Sequence, residues 1–321
     1  MVSCIILAGG ESKRFGEDKT FYNFNGISFL GRALTAAMEV ADDIIICGRN
    51  ESRIKDYRAE AENAAEKSSK AGKKRPAPAI IIDDKNCGFK GPLRGIYSSI
   101  KRLKGEIVLI MEVDAPFFSA YAARELISKI KSENVKAAVP LWPDSTVEPL
   151  LACYKIKDVV YALDMLNGYA LNLKEHFLFN DSVNILRLLP SVYYYNIFDM
   201  AKNNQNLTPY IFMNMNCKKD IEDYNINKRI FNKGGSKSVK IRKANRFFDL
   251  ASPKNEPYGI LAKAFYYWWV YAKTGNYFYF RKSFENFQKD GSMYYDNELN
   301  FMGDKIIKML PDPVESFKTN K

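Results

Sequence analysis

Residues 7–19 read Leu-Ala-Gly-Gly-Glu-Ser-Lys-Arg-Phe-Gly-Glu-Asp-Lys and directly follow an apolar run, Val2 to Ile6. These residue types can hold an anion. Glycine at positions 9, 10 and 16 lets backbone N–H groups approach a negative group closely, because no Cβ stands in the way. Lys13, Arg14 and Lys19 bring positive charge to the same loop. The spacing lacks the Gly-Lys-Ser/Thr of a Walker loop and the Gly-x-Gly-x-x-Gly of a dinucleotide turn. It predicts a phosphate-bearing substrate of neither common kind. A tight strand-to-helix turn without a ligand is the plainer alternative.

Two acidic segments fit such a loop. Ile107 to Asp114 is an apolar strand pattern that ends Met-Glu-Val-Asp and runs on into Ala115-Pro116. A carboxylate at a strand tip suits Mg²⁺, which takes one or two carboxylates plus phosphate oxygens and water. The competing role for Asp114 is a turn or helix-cap carboxylate ahead of Ser119. Asp83-Asp84 ends another apolar run, shortly before Gly91-Pro92-Leu93-Arg94-Gly95. A carboxylate there can accept hydrogen bonds from the N1 and N2 edges of guanine; a solvated loop pair is the alternative.

The elements that must position these groups follow from periodicity. Near-continuous apolar runs predict strands at Ser3–Leu7, Asp43–Cys47, Ala79–Ile82, Ile107–Met111, Ala137–Pro140, Leu150–Tyr154 and Val192–Ile197. Helical patterns lie between them, with Ser28 and Ser119 as N-caps and Pro92 at a first helical position. The alternation predicts a layered α/β fold with a mainly parallel sheet, whose ligands gather at the carboxyl ends of strands. Residues 59–78 form an Ala/Lys/Glu-rich stretch, read as a solvated, partly helical insertion.

The chain has 321 residues and a net charge of +11. Residues 226–321 hold 18 Lys/Arg against 9 Asp/Glu, so the basic character belongs to the tail rather than to the front. Aromatic residues crowd 258–287, and with Gly275 between them they suggest paired helices. A helical core accounts for them more simply than a nucleic-acid face. The 5 cysteines are scattered and His176 is the only histidine, which argues against structural zinc and a Ser/His/Asp triad. The first residues enter a strand with no signal-peptide pattern, and no apolar run is long enough to span a bilayer. A cytoplasmic protein without membrane contact is the expectation.

The ordered set Leu7–Lys19, Asp84, Gly91-Pro92-Leu93-Arg94-Gly95 and Val113-Asp114-Ala115-Pro116 resembles the molybdenum cofactor guanylyltransferase family. Glu148-Pro149-Leu150-Leu151-Ala152 is similar to that family's Gln-Pro-Leu segment, and Phe212-Met213-Asn214-Met215-Asn216 to its Asn-x-Asn segment. The resemblance covers about residues 1–224. It implies a Rossmann-like, glycosyltransferase-A-type three-layer α/β/α domain, followed by a small helical domain over 225–321. It also implies transfer of GMP from GTP to the phosphate of molybdopterin, with Mg²⁺ as the metal.

Carried over by position, Leu7, Ala8, Gly9 and Gly10 would cradle the nucleotide, with Gly91, Pro92 and Leu93 beside the base. Arg14 and Lys19 would neutralise the triphosphate, Asp84 would read guanine, and Asp114 would bind Mg²⁺. Asn214 and Asn216 would lie on the acceptor side. Two departures stand out: Cys47 occupies a usual asparagine position, and Asn216-Cys217-Lys218-Lys219-Asp220 replaces an Asn-Thr-Pro-Glu turn. Apo-molybdoenzymes or cofactor-insertion proteins are the expected partners of the tail. Related nucleotidyltransferases with another base or acceptor (cytidylyl, sugar-1-phosphate or phospholactate) are the nearest alternatives. A non-catalytic nucleotide-binding adaptor acting through the tail is the alternative from another class.

Overall fold

The computed structural model describes residues 1–10, 12, 14–70, 72, 75–142, 146–173, 182–222 and 238–242. His176 and nearly all of the expected helical extension lie outside the described residues. The chain divides into two compact units, Met1–Lys240 and Ile241–Lys321.

The first unit alternates strands and helices. In chain order these are β1 (Val2–Leu7), β2 (Asn23–Phe24), β3 (Ile27–Ser28), α1 (Phe29–Val40), β4 (Asp43–Gly48), α2 (Ile54–Lys70) and β5 (Ala79–Ile82). They continue with α3 (Gly91–Ile100), β6 (Ile107–Glu112), α4 (Ala120–Ser132), β7 (Ala137–Leu141), β8 (Cys153–Lys155) and α5 (Ile156–Leu173). The last are α6 (Val183–Leu188), β9 (Ser191–Asn196), α7 (Ile197–Asn203) and α8 (Lys218–Glu222); β10 (Val239–Arg242) starts in this unit and ends two residues past its boundary. One sheet runs β10-β9-β7-β8-β6-β1-β4-β5. β1 pairs in parallel with both β4 and β6, β5 pairs in parallel with β4, and β9 with β7. β8 alone is antiparallel to both of its neighbours. The mainly parallel sheet is as expected.

Burial explains why β1 sits centrally. Cys4, Ile5 and Ile6 are fully buried, so both faces of the strand are covered and an uninterrupted apolar run is required. α1 begins where Ser28 Oγ accepts the backbone N–H of Gly31 at 2.9 Å, and α4 where Ser119 Oγ accepts that of Ala122 at 3.4 Å. Pro92 lies in the first turn of α3, as the sequence predicts.

Three local expectations change. The Ala/Lys/Glu stretch is not an appendage: residues 59–70 complete α2, the crossover between parallel β4 and β5. Ala61 is buried and Ala64 and Ala65 pack against the core, so small apolar side chains suffice for a helix lying close on its neighbours. The strand expected over Leu150–Tyr154 begins only at Cys153, because Glu148–Leu151 forms a turn in which Leu151 N–H donates to the Glu148 carbonyl at 3.2 Å. The β2–β3 hairpin was not anticipated. Its turn residues Asn25 and Gly26 have φ of 51° and 80°, the left-handed pair that a two-residue hairpin turn needs.

Gly48, at the end of β4, lies against the ring of buried Tyr57, whose hydroxyl donates to the Ala8 carbonyl at 3.1 Å. A Cβ on Gly48 would sit 2.4 Å from that ring. Gly48→Ala is expected to cost about 1–3 kcal/mol through overpacking, lowering the thermal midpoint by roughly 2–10 °C. A thermal melt that leaves the midpoint unchanged would show the ring free to move aside.

Candidate active site

The glycine loop leaves β1 at the carboxyl rim of the sheet, between the ends of β4 and β6; Leu7 is in register with Cys47 on one side and Glu112 on the other. Ala8 N–H donates to the Cys47 carbonyl at 2.8 Å, and Val113 N–H donates to the Leu7 carbonyl at 3.2 Å. The loop's far end is anchored by buried Phe15, which packs edge-on against Tyr22 and Phe29 in a small cluster with Met215. Ser12 Oγ accepts Lys19 N–H at 3.1 Å. Asp18 then caps a single 3₁₀ turn over Lys19–Phe21.

That turn aims Lys19 inward. Its side chain is 10% exposed, and Nζ lies 2.6 Å from Asp114 Oδ2. A Cβ on Gly10 would lie 3.6 Å from Lys19 Cε. Glycine loop, lysine and strand-tip carboxylate therefore meet at one point. Arg14 is exposed at the loop apex.

Asp114 follows β6 and is held from behind: Met215 N–H donates to its backbone carbonyl at 2.6 Å. The segment Met213-Asn214-Met215 alternates, with Met215 buried and Met213 against the core. Asn214 is thereby turned toward the acids, and its Nδ2 donates to Glu112 Oε1 at 3.0 Å. Asn216 takes no part in this convergence. It is exposed, and its N–H donates to Asp220 Oδ2 at 2.7 Å.

Asp114 Oδ1 and Asn214 Oδ1 are buried acceptors without a hydrogen-bond partner. Burial pushes the Glu112 carboxyl well above the ordinary glutamate range, and the nearby charges of Asp114 and Glu148 add to this. The Asn214 hydrogen bond opposes the shift, and a side-chain hydrogen bond shared with Asp114 adds to it. Hard oxygen donors with an unsatisfied buried carboxylate oxygen fit a divalent cation such as Mg²⁺. Among the described residues no three His, Cys, Asp or Glu side chains could hold an ion by themselves, so substrate oxygens and water would have to complete the shell.

On the other side of the loop stand Asp83 and Asp84, the latter expected to read the base. Asp84 is exposed, and its Oδ1 accepts Asn86 N–H at 2.8 Å in its own turn. Asp83 instead faces the loop: its Oδ2 lies 3.7 Å from the position of a Gly9 Cβ, and its Oδ1 3.3 Å from that of a Gly95 Cβ. Successive residues leaving a strand point to opposite sides, so a single step decides which acid enters the cleft. The Cys47 thiol donates to Asp83 Oδ1 at 3.1 Å. Burial raises the pKa of Asp83, while this bond and the positive charges of Arg94 and Arg49 pull it down. Leu93 is buried beneath the site, Pro92 is exposed, and Gly91 starts α3 with φ of 60°. Sequence reasoning gave no role to Glu112, and named Gly95 only as the end of its glycine-bounded segment. A Cβ on Gly95 would lie 3.0 Å from Leu7 Cδ2 and 3.3 Å from Asp83 Oδ1, so a larger residue there would press on the loop side of the site.

A family model described as the MobA-like NTP transferase domain matches residues 4–176, more than half of the chain. The chain belongs to that family. It is a nucleotidyltransferase. A relative from Geobacillus sp. (strain WCH70), named a probable molybdenum cofactor guanylyltransferase, is 31% identical over 150 residues, which is 47% of this chain and 68% of the relative. A protein of the same name from Bacillus cytotoxicus is 28% identical over 164 residues, 50% of this transferase and 73% of the relative. The molybdopterin-guanine dinucleotide biosynthesis protein A of Archaeoglobus fulgidus aligns with a TM-score of 0.49 at 21% identity, over 69% of this transferase and 96% of that chain. Among the described residues no helix is long and apolar enough to cross a membrane.

Proposed function

We propose that this nucleotidyltransferase moves GMP from GTP onto the terminal phosphate of molybdopterin and releases pyrophosphate. The observation that carries the reading is the meeting of Gly10, Lys19 and Asp114, with Lys19 Nζ 2.6 Å from the carboxylate. Relatives named for this reaction supply the substrate class. In the reaction an acceptor phosphate oxygen attacks the α-phosphorus, the bond from that phosphorus to the bridging oxygen breaks, and the electron pair leaves with pyrophosphate. The attacking oxygen is already anionic, so no general base is needed.

The chain's contribution is then positioning and charge. Backbone groups of Leu7 to Gly10 cradle the nucleotide, and Lys19 and Arg14 offset the charge that grows on the departing phosphates. Asp114 would hold Mg²⁺, which when bound screens the triphosphate and orients its oxygens. Asn214 keeps the acidic side of the cleft in place.

Guanine recognition passes to Asp83, whose carboxylate lies at the loop where Asp84 does not. Asp83→Asn turns an acceptor toward the N1–H and N2–H₂ donors into a partial donor. GTP affinity should fall by about 1–3 kcal/mol, roughly 5- to 150-fold, while Asp84→Asn stays within about twofold. Because burial raises the Asp83 pKa, GTP binding should weaken on acidification at a higher pH than an ordinary aspartate would give, and Asp83→Asn should remove that dependence. Titration calorimetry with GTP across pH checks both.

The whole reading is tested by pyrophosphate release from GTP, CTP and UTP with Mg²⁺ and molybdopterin. Molybdopterin-dependent release from GTP is expected. Faster release from CTP, or release indifferent to molybdopterin, would overturn the base or the acceptor.

A further inference from the structure

We propose that Glu112 is a second carboxylate for the divalent cation of this site, presented beside Asp114 by a hydrogen bond from Asn214. The inference rests on the reading that Asp114 binds that cation, and it extends the ligand set to a residue that the sequence patterns did not single out.

Glu112 is the last residue of β6, and Asp114 follows after a single residue, Val113. Val113 between them is buried in the core, and Glu112 and Asp114 both reach the acidic cluster beside the glycine loop, Glu112 through Asn214 and Asp114 through Lys19. Asn214 Nδ2 fixes Glu112 Oε1 at 3.0 Å, while the next residue ties the Asp114 carbonyl through Met215 N–H at 2.6 Å. One short segment thus sets the position of both acids. Lys19 engages one oxygen of Asp114 and leaves Oδ1 buried without a partner. Asn214 Oδ1 is a second buried acceptor in the same condition.

Buried acceptors are paired in folded proteins almost without exception, and each left bare costs free energy. Lys19 reaches one oxygen of Asp114, and Glu112 is met by the neutral amide of Asn214. A hydrogen-bond donor would satisfy a single acceptor. A divalent cation satisfies several acceptors and offsets the like charges together. Oxygen-only donors, two carboxylates and a vicinity that brings in phosphate oxygens match Mg²⁺ or Mn²⁺ rather than a softer metal.

The test uses Mn²⁺ as probe with the full-length chain, following loss of the free-ion paramagnetic resonance signal together with thermal unfolding. Glu112→Gln should weaken Mn²⁺ binding by about tenfold or more, and Asn214→Ala by several-fold, since second ligands and their supports change affinity on the order of 10–100-fold. The Glu112→Gln chain keeps the side chain's shape and an oxygen that can accept from Asn214, so it should melt close to wild type without metal and should lose the rise in midpoint that Mn²⁺ gives wild type. Glu112→Gln binding within about twofold of wild type, with Asp114→Asn impaired, would overturn the role of Glu112 and leave that of Asp114 standing. Asp114→Asn binding Mn²⁺ like wild type would overturn the Asp114 reading itself. A Glu112→Gln chain that melts markedly lower yet keeps its full Mn²⁺ stabilisation would mark Glu112 as structural and end the proposal.

Discussion

Asp114→Asn is expected to reduce Mg²⁺-dependent pyrophosphate release by on the order of 10³-fold or more, with the fold retained. Asp114 is mostly buried, holds Lys19 through one oxygen and leaves the other unpartnered at the sheet rim. Asparagine keeps the shape, and its amide oxygen can still accept from Lys19, but the charge that would hold the cation is gone. The strand before it is secured independently by pairing with β1 and β8. Loss of the buried charge pair should therefore cost only about 1–3 kcal/mol of stability, as for one imperfectly replaced buried partner. Circular dichroism and a thermal melt establish the fold, and the rate at saturating Mg²⁺ decides the role. A variant within a few-fold of the wild-type rate would remove Asp114 from the reaction.

Lys19→Met should lower the single-turnover rate by about 10²–10³-fold, equivalent to about 3–4 kcal/mol of lost transition-state stabilisation, on the scale of removing one preorganised donor. Methionine fills the space of the buried stem without its charge, so the effect reports electrostatics rather than a cavity. The loss should fall mainly on kcat, because charge on the departing pyrophosphate develops after binding. Lys19→Arg is not expected to rescue. The side chain occupies a buried slot between Gly10 and Asp114, and the larger planar guanidinium does not replace a compact ammonium there. A change in KM alone, with kcat untouched, would assign Lys19 to ground-state binding and not to catalysis.

The two positions also show what local pattern in the chain can point to. Lys19 and Asp114 stand far apart in the sequence, yet both could be named from local pattern: a lysine closing a glycine-rich turn, and an acid at the tip of an apolar strand. Each pattern needs only a strand end, and a parallel sheet brings strand ends to one rim. The Asn25-Gly26 turn went unread, although few dipeptides accept two left-handed residues, because its two-residue strands carry no alternation to read. Residues 59–70 misled because composition reports how much surface a segment can bury, not whether small side chains suffice against a close neighbour.

The amino-acid order alone determined the alternation of strands and helices, the helix starts at Ser28 and Ser119, and the strand ends at which the glycine loop and Asp114 stand. Those features depend on residue type and near-neighbour spacing, which the chain states outright. Only the folded molecule turned Asp83 rather than Asp84 toward the loop, drew Glu112 and Asn214 together and left Asn216 exposed. Each of those outcomes turns on which way a side chain faces after a single backbone step, and on contacts made across about a hundred residues. A pattern of residue types does not fix either quantity. Packing of the strand ends against the segment at 213–215 does.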